Sequence, residues 1–103
     1  MPSRYVEVQI LAQVLVKFFA TVREITGVKS IELEANNINE VLQLLVQKYG
    51  SKFKNTVMEG DTGELKQFFS CMVNGKRIEL LDGYETVLKD NDSIALFPPV
   101  GGG

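Results

Sequence analysis

With 103 residues, 45% of them apolar and 23% charged, the chain has the size and composition of one compact domain and not of a disordered or multidomain protein. It holds no histidine and a single cysteine, Cys71. Those two facts exclude Ser-His-Asp and Cys-His catalysis, histidine-bearing zinc sites and any disulfide within the chain. Eleven Lys plus Arg against thirteen Asp plus Glu leave a net charge of −2, which argues against nucleic-acid binding driven by phosphate contacts. No stretch approaches the ~18 uninterrupted apolar residues of a membrane span. Residues 1–13 carry Arg4, Glu7 and Gln9 and lack the apolar core of a signal peptide, so cytoplasmic residence is expected. A lone free thiol fits a reducing compartment.

Residues 14–20 (VLVKFFA) are apolar and β-rich with one polar interruption at Lys17, which predicts a central strand with both faces largely covered. Residues 21–27 are too polar to continue it and end in Gly27, which suits a turn. Residues 29–34 alternate, with Ile31 and Leu33 on one face, and predict a half-buried strand hairpinned against the first. Asn37 and Glu40 then form an N-cap and its capping-box partner. Behind them Ile38, Val41, Leu42, Leu45 and Tyr49 make the apolar stripe of a helix of about three turns, which Gly50 stops.

Residues 51–66 are polar and punctuated by Gly60 and Gly63, which predicts a long surface connection. Residues 69–73 (FSCMV) predict a third strand, and Asn74-Gly75 a hairpin turn into a fourth at 76–80. Asp82-Gly83 is another turn, with a short helical turn over 83–88. Asp90-Asn91-Asp92 turns the chain into a buried strand at 93–97 (SIALF), and Pro98-Pro99 forbids further pairing. Strand, strand, helix, strand, strand, strand predicts an α+β domain, a mixed sheet of four to five strands with one main helix across one face. The first and last strands, being most apolar, are expected side by side at its centre. That is the β-grasp arrangement of ubiquitin-like domains. The domain is placed at residues 14–100, after an extension over 1–13 whose Val6-Val8-Ile10 alternation allows a short added strand, and before a glycine tail over 101–103.

Four features invite a chemical reading. Asp61-Thr62-Gly63 spells the tripeptide of aspartic proteases, whose dimers pair two carboxylates around one proton. Here it follows Met58-Glu59-Gly60 and not an apolar strand, so a polar turn is expected. Asp90-x-Asp92 lacks the further oxygen ligands and closing Glu of a calcium loop. Cys71, between Phe69 and Val73 with no histidine to activate it, reads as a small buried hydrophobe. The C-terminus is different. Two prolines directly after a buried strand make a stiff, extended stalk, and glycines without Cβ can lie in a channel too narrow for a side chain. The only functional group so presented is the terminal carboxylate, held out for another protein's active site.

Phe19-Ala20-x-x-Arg23-Glu24-x-x-Gly27, Val73-Asn74-Gly75, Leu88-Lys89-Asp90-x-Asp92 and Phe97-Pro98-Pro99-Val100-x-Gly102-Gly103 together resemble the small subunit of molybdopterin synthase. The archaeal branch of that family, including the small archaeal modifier proteins, is similar across the helix–strand connection. The thiamine sulfur carriers share the Gly-Gly end but are shorter and generally lack the double proline. Position 101 is glycine where many relatives carry a slightly larger small residue. The resemblance implies a ubiquitin-like sulfur carrier. Gly103 would be the acceptor, Gly101 and Gly102 the threaded tail, and Phe97, Pro98, Pro99 and Val100 docking residues. It implies no cofactor bound to the chain. A partner of the ubiquitin-activating type would use ATP and magnesium to adenylate Gly103, sulfur would displace AMP, and the large synthase subunit would take the sulfur. In the alternative the activated Gly103 is joined to lysines of target proteins by an isopeptide bond.

Overall fold

The computed structural model describes residues 11–99. The Val6-Val8-Ile10 alternation, Val100 and the three terminal glycines lie outside them. The five strands β1 (Ala12–Phe18), β2 (Ser30–Ala35), β3 (Ser70–Val73), β4 (Lys76–Arg77) and β5 (Ser93–Phe97) form one mixed sheet in the order β2-β1-β5-β3-β4. A short helix α1 (Thr21–Thr26) follows β1, and the main helix α2 (Ile38–Val57) follows β2. β1 and β5 are the central pair and run parallel, with Val16 opposite Ile94 and Phe18 opposite Leu96. Every other pairing is antiparallel. The expected ubiquitin-like β-grasp architecture is therefore present, with the two most apolar strands side by side.

One side of the sheet faces the core. Val14, Val16 and Phe18 of β1, Ile94 and Leu96 of β5, and Cys71 and Val73 of β3 are buried there against Ile38, Val41, Leu42 and Leu45 of α2. Each such aliphatic or aromatic side chain contributes about 1.5–3 kcal/mol relative to exposure. The start of α2 follows its caps: Asn37 Oδ1 accepts the Glu40 N–H at 2.9 Å, and Glu40 Oε1 accepts the Asn36 N–H at 2.8 Å. Local chemistry alone explains this helix start.

Four expectations need correction. β1 is covered on one face only, because Gln13 and Lys17 are exposed between buried neighbours. An apolar run hid a simple alternation. Residues 21–27 contain α1, which is too short to show a helical period and has one buried residue, Val22; the left-handed Gly27 ends it, its N–H donating to Arg23 O at 2.7 Å. Gly50 does interrupt α2, with φ 73 and ψ −153, but the helix resumes and buries Phe53 and Val57. The stretch 51–66 thus begins as helix and sends Phe53, Val57 and Met58 into the core. Only from Glu59 does it become a surface loop, closed by the Met58–Leu65 bridge. The fourth strand stops at Arg77, and a 3₁₀ turn (Ile78–Leu80) rotates Ile78 into the core.

Candidate functional site

Because β1 and β5 are parallel neighbours, they finish at the same end of the sheet, and the stalk leaves from that end. Phe97, the last residue of β5, stacks on Phe19 with ring centroids 4.4 Å apart and planes 11° from parallel. Such a pair contributes about 0.5–1.5 kcal/mol beyond its buried area. The β1–α1 junction holds Phe19 in place. Ala20 adopts φ 52 and ψ −125, a conformation unusual for a residue with a Cβ. The Phe19 carbonyl accepts the Val22 N–H at 3.1 Å, and Arg23 Nε donates to the Phe18 carbonyl at 3.3 Å. The Phe19-Ala20-x-x-Arg23 motif is therefore a corner that sets the aromatic support under Phe97. Pro98 and Pro99 continue from it half-buried. Phe19 had no role assigned from sequence; an aromatic directly after a strand expected beside the last one was the available signal.

The other two sequence motifs lie at the opposite end, where β1 and β5 begin. Asp92 accepts from Asn74 Nδ2 and from the Lys89 N–H, both at 2.8 Å. Asn74 Oδ1 accepts the Ser93 N–H at 2.9 Å, and Asp90 Oδ1 accepts the Gln13 N–H at 2.9 Å. Asn74 and Asp90-x-Asp92 are thus a latch between the β3–β4 hairpin and the start of β5. Both Asp92 oxygens, Asn74 Oδ1 and Asp90 Oδ1 are occupied by structural bonds. Among the described residues no group of three or more Cys, Asp or Glu side chains gathers to hold a metal.

Cys71 is 1% exposed, and burial, with the nearby negative charge of Glu79 adding to it, pushes its thiol up to about 12. A thiol held protonated is a weak nucleophile. Asp61 sits at the other extreme: its side chain is 88% exposed and paired with Lys54. The hydrogen bond and charge of Lys54 hold its carboxyl below the usual range, the opposite of a carboxyl that shares a proton. The tripeptide is a loop tip, with Thr62 Oγ1 donating to Glu59 O at 2.7 Å.

A mixed sheet with a parallel central pair, one long helix packed across it and a stalk leaving the last central strand define a ubiquitin-like β-grasp domain. The chain belongs to the ThiS family, whose pattern matches residues 16–103. It is 36% identical over 90 residues to small archaeal modifier protein 3 of Haloferax volcanii, covering 84% of this chain and 95% of that one. It is 32% identical over 77 residues to a provisionally named sulfur carrier protein of Archaeoglobus fulgidus, covering 75% and 85%. Among solved structures, small archaeal modifier protein 1 from Methanosarcina acetivorans superposes with a TM-score of 0.79 at 36% identity, covering 90% of this chain and 98% of that one. A protein of Pyrococcus furiosus, provisionally named subunit 1 of a molybdopterin converting factor, superposes at 0.68 with 28% identity, covering 86% and 99%. No helix among the described residues is long and apolar enough to cross a membrane.

Proposed function

We propose that this chain is a cytoplasmic sulfur carrier that works through the carboxylate of Gly103 and supplies sulfur for molybdopterin synthesis. The observation that carries the proposal is the convergence at one end of the sheet. The family pattern runs through to residue 103, and the strand feeding that tail is central and aromatic-braced. A tail that enters another protein's active site needs a fixed point of departure, and a central strand is the stiffest one a sheet offers.

The chemistry belongs to the partner. A carboxylate does not exchange oxygen for sulfur, because hydroxide or oxide is too poor a leaving group. In the proposed sequence an adenylating enzyme of the ubiquitin-activating type binds ATP and magnesium. A carboxylate oxygen of Gly103 attacks the α-phosphorus, and pyrophosphate leaves. A sulfide sulfur then attacks the acyl carbon, the acyl–phosphate bond breaks and AMP departs, leaving a thiocarboxylate. This chain's part is to present the acyl group. Phe97, Pro98, Pro99 and Val100 dock it, and Gly101 and Gly102 fit the channel. The likeness to the Pyrococcus protein supports the large molybdopterin synthase subunit as sulfur acceptor.

A second reading is favoured by the modifier proteins among the relatives. There the same adenylate leads to attack by a lysine of a target protein. One measurement separates the two. Protein recovered from cells and analysed by mass spectrometry carries an oxygen-to-sulfur change at Gly103 if it is a carrier. Digests of cell protein show lysines bearing a remnant ending in Gly103 if it is a modifier. Lysine conjugates without thiocarboxylate overturn the carrier reading. Removal of Gly102 and Gly103 abolishes activation in either case.

A further inference from the structure

We propose that Phe68 is a docking anchor for the adenylating enzyme, at the end of the sheet from which the stalk leaves; the inference rests on the tail reading above. Among the described residues, five large apolar side chains are exposed, and Phe68, at 72%, is the largest of them. Its backbone is as unusual as its exposure. The Phe69 N–H donates to Lys66 O at 3.1 Å, which closes a four-residue turn with Phe68 in the third position at φ 73. That position favours glycine or asparagine, since a Cβ is crowded there. A phenylalanine in it helps neither the turn nor the core. An outlier that the fold does not use points to use by something else.

Its location says by what. Phe68 lies two residues before Ser70, and Ser70 pairs with Phe97. It therefore stands at the end of the sheet from which the stalk leaves. Gly103 is four residues beyond Pro99, a reach of at most about 14 Å. Any enzyme that closes on its carboxylate must come that close to this end, within reach of an exposed side chain on its rim. Both readings of the tail need the adenylating enzyme, so it is the occupant that either requires. Aromatic side chains are enriched where such surfaces close and exclude water.

Val87 is an internal control. It is 71% exposed but bridges Asn37, just past the end of β2 that pairs with the start of β1, at the far end of the sheet. The test is ATP–pyrophosphate exchange by the adenylating enzyme encoded in the same genome, measured against concentration of the full chain. Phe68→Gly is expected to raise KM about tenfold or more with kcat within about twofold, as loss of an interface anchor does. Its Tm stays equal or rises, because glycine suits the turn. Phe68→Leu restores most of the affinity, and Val87→Ser changes nothing. An unchanged KM for Phe68→Gly, in an assay where the parent is adenylated, overturns the anchor and leaves the tail reading standing. A parent that is not adenylated overturns both. Equal loss in Phe68→Gly and Val87→Ser, a lower Tm in Phe68→Gly, or a parent dimer that Phe68→Gly dissolves also overturns the anchor.

Discussion

The two ends of the sheet are built from opposite materials. Where β1 and β5 begin, Asn74, Asp90 and Asp92 direct side-chain oxygens at backbone N–H groups, and Asn74 Nδ2 donates to Asp92. Where the same strands finish, Phe19 stacks on Phe97, Pro98 and Pro99 follow half-buried, and Phe68 stands in solvent. The first end satisfies its polar groups internally, with Val87 exposed beside them. The second leaves apolar surface for something else to cover. Four motifs that resemble one family in sequence therefore divide into two jobs. Two of them close the fold, and two meet at the Phe19–Phe97 stack where the stalk leaves.

The sharpest way to break this comparison is at the latched end. Asp92→Ala removes two hydrogen bonds to a charged acceptor and is expected to cost about 2–3 kcal/mol. In a domain of this size that lowers Tm by about 10–20 °C in thermal unfolding. Adenylation measured well below the new Tm stays at the parental rate. Slower adenylation of the folded variant would show that the latch also serves the partner.

Cys71 lies in β3, between the two ends, and tests the core they share. Cys71→Ser places a hydroxyl in apolar surroundings and costs about 1–2 kcal/mol, with acceptance of sulfur unchanged. A folded variant that cannot be thiocarboxylated would give the thiol a chemical role. The pH dependence follows from the shift. The unfolded thiol ionises near 9.0, whereas the folded one stays protonated to about 12. Between those values the folded state binds the extra proton, so this group's contribution falls as pH rises and is neutral below about 9. Parent and Cys71→Ala should therefore show a stability difference that shrinks from pH 9 upward in denaturant titrations.

At the tail end the expected effect on the fold is smaller. Phe19→Ala removes the aromatic support and costs about 1 kcal/mol of stability from the stack. Its effect on KM for adenylation should exceed that of Asp92→Ala, the reverse of their order in Tm. Equal ranking in both assays would dissolve the division between the two ends. The least effect belongs to Asp61→Asn. An exposed ion pair with Lys54 is worth little, so Tm and adenylation both stay within error. A peptidase activity lost in that variant would revive the protease reading.

Helix α2 was legible to Tyr49 because everything that starts it is local: the Asn37 and Glu40 caps and one apolar stripe. The pairing of β1 with β5 was legible from their shared apolarity, although β1 keeps Gln13 and Lys17 exposed on its outer face. The glycine tail was set apart in the sequence by two prolines directly after a buried strand and by three glycines in a row. Tertiary structure decided the rest. Glycine at 50 stops a helix by local rules, yet the chain re-enters helix because Phe53 and Val57 find room in the core. Ile78 leaves the fourth strand for the same reason. The Phe19–Phe97 stack joins residues far apart in the chain, and only a parallel register brings them to one end. Nothing in residues 66–69 marks Phe68 as exposed beside the stalk; its turn and the pairing of Ser70 with Phe97 put it there. Caps and periods act over a few residues and can be read along the chain, whereas core space and strand register exist only once the chain has closed on itself.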